Sequence, residues 1–272
     1  MGAGLAYAGS PARIKRAVAR WRVQTLWQHL RIGSNHCLEM AMRVDVGTSG
    51  FSYTAWRGRF YPKKHPSDGM LAFYAGHFGA VEINSTYYRL PTPRALAPWL
   101  LEVPRGFRFS FKAPGQITHM RRLLRCRAPL NRFLKAIEGF QRQKGPVLFQ
   151  LPPNFKADVP RLEAFLALLP PKLLATFEFR HPSWFDDATY ECLKTHQVAL
   201  CIADSETLAT PRVATAPWGY LRLRREDYTA RQLSAWARWV KGQRFRHVSV
   251  FFKHEDQARG TRFAKTFLRC IG

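Results

Sequence analysis

Glu178 and Arg180 stand two residues apart in the stretch TFEFRHPSWF (176–185). On an extended backbone both point to one side, while Phe177 and Phe179 face the other. A carboxylate beside a guanidinium is either structural cement or chemistry held at a strand's end. The same question arises at Glu82 and Asn84, at Lys112, at Gln150, at Asp204, at Arg222 and at Lys253, each among or beside alternating apolar residues. Glu82, Glu178, His181 and Asp204 are the candidate catalytic groups, able to move a proton or join a metal. Lys112, Arg180, Arg222 and Lys253 are suited to holding an anion, the arginines with paired donors. Tyr53, Asn84, Tyr88, His119, Gln150 and Trp184 complete the candidate ligand-binding set through hydrogen bonds or stacking.

The elements that must position these residues alternate along the chain from Met42. Strand-like runs cover 43–49, 80–86, 107–113, 146–151, 174–180, 199–204, 218–224 and 247–254. Helix-like runs lie near 70–78, 94–102, 129–143, 157–169, 186–196, 230–241 and 258–270, and the Pro-interrupted stretch 207–217 is too short for a full helix. Strands alternating with helix-length crossovers predict a single-domain (β/α)8 TIM-type barrel with a shortened or missing helix after strand 6. No G-x-G-x-x-G or Walker pattern supports the competing open sheet. If the apolar parity of each strand faces the helices, the polar parity lines the interior and gathers at the C-terminal mouth, where barrels build active sites. On that reading Cys201 and Ala203 count with the outward apolar set, and Asp204 with the inward polar one.

Composition narrows the function classes. The 272-residue chain carries 43 Lys+Arg against 18 Asp+Glu, a formal net charge of +25, which favours anionic partners, nucleic acid among them. Connections after strand 1 (Arg57, Arg59, Lys63, Lys64) and strand 3 (Arg121, Arg122, Arg125, Arg127) predict a basic rim at the mouth, with Tyr53, Trp56, Tyr87, Tyr88 and Trp184 able to stack on bases. Further basic residues at Arg231, Arg238, Lys241, Arg244 and Arg246 spread the charge, so part of it is ordinary solvated surface. The five cysteines lack C-x-x-C spacing, which fits a reducing cytoplasm rather than a disulfide or zinc framework. No apolar run is long enough to span a membrane. Residues 1–41 form a basic, acid-poor extension. Its first reading is a start assigned upstream of Met40 or Met42; the others are an added helix and a targeting or nucleic-acid arm.

Several motifs in order resemble the YecE-like family, the domain of unknown function numbered 72. They are VGTSGFSYTAWRGRFYP (46–62), FYAGHFGAVEINSTYYRLP (73–91), FRFSFKAPGQITHMRRL (107–123), FQLPP (149–153) and FEFRHPSW (177–184), followed by YLRL (220–223) and LSAWARWV (233–240). The resemblance spans Met42 to the C-terminus and implies a TIM-type barrel in a cytoplasmic, bacterial-type protein, without a settled activity. Carried over, the motif positions fall on Thr48, Ser49, Tyr53, Glu82, Asn84, Tyr88, Lys112, His119, Gln150, Glu178, Arg180, His181 and Trp184. Two departures stand out: Arg224 and Arg225 replace a His-Gly after YLRL, and Phe252-Lys253-His254 replaces a Phe-Asn-Asn type ending. Both add positive charge, pointing to a more anionic ligand or to a lost activity.

Three functions follow. The first is binding or hydrolysis of a phosphate-bearing ligand, nucleic acid included. A divalent metal on Glu82, His119, Glu178, His181 and Asp204 is a weaker addition, unsupported by any metal-binding spacing. The second is glycoside hydrolysis by Glu82 and Glu178, for which the mouth is unusually cationic. The third is a non-enzymatic ligand-sensing or scaffold barrel. No G-x-S-x-G setting supports a serine nucleophile.

Overall fold

A computed structural model describes residues 42–253 and 256–272; the basic extension expected at 1–41 lies outside them. Eight parallel strands close into a barrel in chain order: β1 (Arg43–Ser49), β2 (Ala80–Ile83), β3 (Arg108–Lys112), β4 (Lys144–Gln150), β5 (Ala175–Glu178), β6 (Ala199–Asp204), β7 (Trp218–Leu223) and β8 (His247–Phe252). Closure is made by β1 on β8, in register from Arg43 opposite His247 to Thr48 opposite Phe252. Gly47 lets β1 approach β2, since a Cβ there would lie 1.8 Å from the Ala80 carbonyl oxygen.

The outer ring holds α1 (Met70–Ala75), α2 (Pro93–Glu102), α3 (Arg127–Ala136), α4 (Val159–Leu166), α5 (Asp187–Thr195), α6 (Ala230–Lys241) and α7 (Arg259–Ile271). Their starts are written in the sequence. Thr92, Asp158 and Asp186 each accept a backbone N–H three residues on, and Thr229 and Gln232 form a reciprocal capping box. As the sequence predicts, no helix follows β6; Ser205–Pro217 runs as a loop with one bridge from Asp204 to Ala209. No helix among the described residues is long and apolar enough to cross a membrane.

Strand parity divides two cores. Phe109, Phe111, Phe149, Phe177, Phe179, Val250 and Phe252 belong to the large core beneath the helices. Ala80, Leu148, Ala199, Cys201, Trp218, Tyr220 and Phe251 form a second, smaller core, on the parity that faces the barrel's interior. Strand β6 therefore overturns the expectation for its parity. Cys201 faces inward, Leu200 and Ile202 face the helices, and Asp204 shares their outward parity. Both parities of ALCIAD are apolar, so alternation in a strand buried on both faces carries no sign. The strand expected over 80–86 stops at Ile83, because Ser85–Tyr87 makes a 3-10 turn. The Thr86 hydroxyl pins that turn to the carbonyls of Ile83 (3.2 Å) and Lys112 (2.7 Å).

Candidate functional site

At the mouth, Glu82 of β2, Gln150 of β4, Glu178 of β5 and Arg222 of β7 meet in one buried network. Arg222 is 2% exposed and its guanidinium bridges the two carboxylates. Nη1 donates to Glu178 Oε2 (2.5 Å) and Nη2 to Glu82 Oε1 (2.8 Å). Glu82 also accepts from Ser49 Oγ (2.7 Å) and from the Tyr220 hydroxyl (2.6 Å), which lies 3.0 Å from Ser110 Oγ. Glu178 Oε1 accepts from Gln150 Nε2 (2.8 Å), Arg180 Nε (3.1 Å) and Arg224 Nη1 (3.4 Å).

Burial alone would push both glutamates upward in pKa. For Glu178 the charges of Arg222, Arg180 and Arg224 and the Gln150 hydrogen bond overcome it; for Glu82, the Arg222 charge and the bonds from Tyr220, Arg222 and Ser49 do so. Both carboxyls are held below their ordinary range and stay ionised. Neither is placed as a general acid, and both are spent on protein donors. In this geometry Glu82 and Glu178 serve as counter-charges to Arg222, and their ionised state sets them apart from a general acid. A glycosidase acid must carry a proton, and neither carboxyl is held in the protonated form here.

Lys112 enters from β3 differently. Its ammonium lies 4.2 Å from the ring centroid of Tyr87, and among the described residues no hydrogen bond or ion pair reaches it. Burial, then repulsion by Arg222, outweighs attraction to Glu82 and Glu178, and with further repulsion from Arg180 the amine's pKa is lowered to about 8. Gly115 allows the tyrosine to lie there, because a Cβ would stand 2.8 Å from Tyr87 Cζ. A π-helical turn, Gln116–Met120, then brings His119 against the same ring, with centroids 5.0 Å apart. His119 Nδ1 and Thr118 Oγ1 are 2.9 Å apart, and burial followed by the charges of Lys112 and Arg180 keeps the imidazole's pKa down.

A cavity of about 490 Å3 opens beside Glu178, lined among others by Pro153, Arg180, Ser205, Glu206 and Arg224. The Nε atoms of Arg222 and Arg224 are buried without a hydrogen-bond partner among the described residues. Around the mouth, Arg122, Leu123 and Arg125 adopt left-handed backbone, with φ of 45°, 69° and 52°. That conformation is costly for non-glycine residues. Buried Leu123, whose N–H donates to the Ile117 carbonyl (3.0 Å), anchors the loop while Arg121 and Arg125 face solvent.

Other expected site residues stand outside this hydrogen-bonded network. Asp204 is turned away from the barrel interior and paired with Arg225 Nε (2.8 Å) and the Tyr228 hydroxyl (3.1 Å); it follows the outward parity of β6. Trp184 is fully buried, its indole N–H donating to the Phe155 carbonyl (2.7 Å) and its ring stacked 4.6 Å from Phe179, so it is core rather than a stacking platform. His181 Nδ1 caps the Pro182–Trp184 turn by accepting from the Ser183 N–H (3.2 Å). Tyr53 donates to the Ser49 carbonyl (2.8 Å) and packs on Trp56, while Thr48 turns to the Tyr74 hydroxyl (2.9 Å). Asn84 is half-buried at the turn after β2, Tyr88 is 85% exposed, and Lys253 is half-buried just past β8. Among the described residues, no three His, Cys, Asp or Glu side chains gather as a metal site.

Tyr220 and Arg224 join the network at the mouth, and the sequence reading did not count them as site members. Tyr220 shares the parity of Arg222, which was the available signal; Arg224 was visible only as a departure from a familiar pattern.

Comparison with known proteins places the chain in a wider set. The family model described as "Protein of unknown function DUF72" matches residues 45–272. The chain is 36% identical over 116 residues to UPF0759 protein YecE of Escherichia coli (strain K12), a stretch that is 42% of this chain and 43% of that protein. It is 25% identical over 228 residues to UPF0759 protein YunF of Bacillus subtilis (strain 168), covering 75% of this chain and 78% of that one. A crystal structure of a DUF72 family protein from Thermotoga maritima superposes with a TM-score of 0.75 at 27% identity, covering 84% of this chain and 98% of its own.

Proposed function

This chain belongs to the DUF72 family, and from its mouth geometry we propose that it binds a phosphate-bearing ligand there. The observation that carries the reading is the division of charge. Arg222 bridges Glu82 and Glu178, Arg180 and Arg224 also pair with Glu178, and Asp204 is spent on Arg225. With Lys112 beside them, the four cations Arg222, Arg180, Arg224 and Lys112 exceed Glu82, Glu178 and the cavity's Glu206 by one charge. The buried Nε donors of Arg222 and Arg224 have no acceptor among the described residues, and phosphate oxygens supply several acceptors with charge to match. Arg180 and Arg224, 29% and 22% exposed, contact the ligand from the open side. Arg222 holds the floor, and the left-handed loop with Arg121 and Arg125 extends the positive field outward, which suits a polyphosphate or nucleic-acid backbone.

Calorimetric titration with inorganic phosphate, pyrophosphate and a single-stranded oligonucleotide tests this. Arg180→Ala and Arg224→Ala should each weaken phosphate binding by about tenfold, the scale of one charge-assisted hydrogen bond. Phosphate affinity indifferent to both substitutions would remove the site from the mouth. Oligonucleotide binding with a steep salt dependence, against weak binding of pyrophosphate, would identify nucleic acid as the phosphate's source. A chromogenic glycoside panel should show no turnover that Glu82→Gln or Glu178→Gln abolishes.

A further inference from the structure

We infer that Lys112 is an imine-forming lysine, so that the mouth's ligand carries an aldehyde or ketone beside its anionic group, as a phosphorylated sugar does. This rests on the anion-binding reading above and adds the reacting atom. An amine can attack a carbonyl only while neutral and unshielded, and most lysines near carboxylates are neither. Here the two nearby carboxylates are turned to Arg222. The Lys112 ammonium is left on a tyrosine face with no oxygen acceptor among the described residues. Arg222 and Arg180 repel it, and burial disfavours its charge. The same groups that hold a phosphate make the protonated amine uncomfortable.

The site lies at the C-terminal end of β3, where a barrel presents reacting groups. The neutral Nζ adds to the carbonyl carbon as the π electrons move to oxygen. Nitrogen loses a proton and the oxygen gains one, giving a carbinolamine. A second proton transfer releases the hydroxyl as water while the C=N bond forms. No oxidant, reductant or further reactant is required. His119, neutral and packed perpendicular to the same Tyr87 ring, is the base beside this path.

Borohydride reduction followed by peptide mass mapping tests the inference, with glyceraldehyde 3-phosphate, ribose 5-phosphate and unphosphorylated glyceraldehyde as probes. At pH 8 an amine with a pKa of about 8 is half neutral, so Lys112 should be labelled roughly hundredfold faster than an ordinary lysine. Inorganic phosphate should compete, and Lys112→Arg should abolish the adduct while circular dichroism shows a folded chain. Labelling spread evenly over surface lysines, or a phosphosugar that binds by calorimetry yet leaves Lys112 unmodified, overturns the imine and leaves the anion site standing. Selective labelling by glyceraldehyde at the same rate as by its phosphate, without competition, overturns the anionic substrate class and the phosphate reading with it.

Discussion

The two ends of the barrel use the same residue types to opposite effect. At the N-terminal end, Asp45 is gripped by Arg43 (Nε to Oδ1, 2.9 Å) and by His247 Nε2 (2.9 Å to Oδ2), which also lies 3.2 Å from Ser249 Oγ. Arg43 reaches on to the Gly106 carbonyl (2.7 Å), and Arg108 spends its Nη1 on the carbonyls of Gly106 and Phe107 (3.3 Å each). Donors and acceptors there saturate one another. At the mouth the carboxylates are equally saturated, but the cations are not: two guanidinium Nε atoms and the Lys112 amine keep unspent capacity among the described residues. Ion pairs alone do not distinguish the two ends; buried cationic donors left without an acceptor among the described residues do.

The largest blow to the mouth is Arg222→Met. It strands two buried carboxylates and should cost about 3–5 kcal/mol in urea unfolding. Glu178→Gln comes next, at about 3 kcal/mol, and sharpens the contrast between the ends. With its counter-charge gone, the mouth should recover stability in phosphate or sulfate, whereas Asp45→Asn at the other end should gain nothing from either anion beyond the wild-type response. Equal rescue of both variants would erase the distinction.

The pH dependence separates the ends further. Glu82 and Glu178 lie below their ordinary value of 4.5, so their contribution is complete above that pH and is lost as pH falls toward the lowered values. Burial raises the Asp45 carboxyl, and hydrogen bonds from His247 and Arg43 more than reverse it, so its loss begins below 3.8. Lys112 runs the other way. Between about 8 and its ordinary 10.5 the unfolded chain holds the proton that the folded chain has shed, so stability rises with pH across that window. A thermal-melt series of wild type minus Lys112→Met should isolate that rise, and a flat difference would refute it. The smallest effect is expected from Arg43→Met, about 1 kcal/mol in the same urea assay, because Arg43 is 41% exposed and His247 still holds Asp45.

Much of this was legible in the sequence because polar residues interrupt apolar alternation in β2, β3, β4, β5, β7 and β8. Where ALCIAD offered no interruption, parity was unreadable and Asp204 was misplaced. Trp184 misled for another reason: an aromatic in a polar loop reads as a platform, and only the packing of Phe155 and Phe179 around it reveals a core residue. The convergence on Arg222 was beyond reach, since the register joining strands 44 and 140 residues distant along the chain is a property of closure. The helix starts, by contrast, were local chemistry at Thr92, Asp158, Asp186 and Thr229.

The guanidinium of Arg222, shared by partners on two other strands, has an evolutionary consequence. No member of Glu82, Glu178 and Arg222 can drift alone without stranding a buried charge, so the three form one heritable character that must be kept or exchanged together. Arg180, Arg224 and Lys253 are only partly buried around that fixed trio, and these outer cations are where divergence within such barrels should first accumulate.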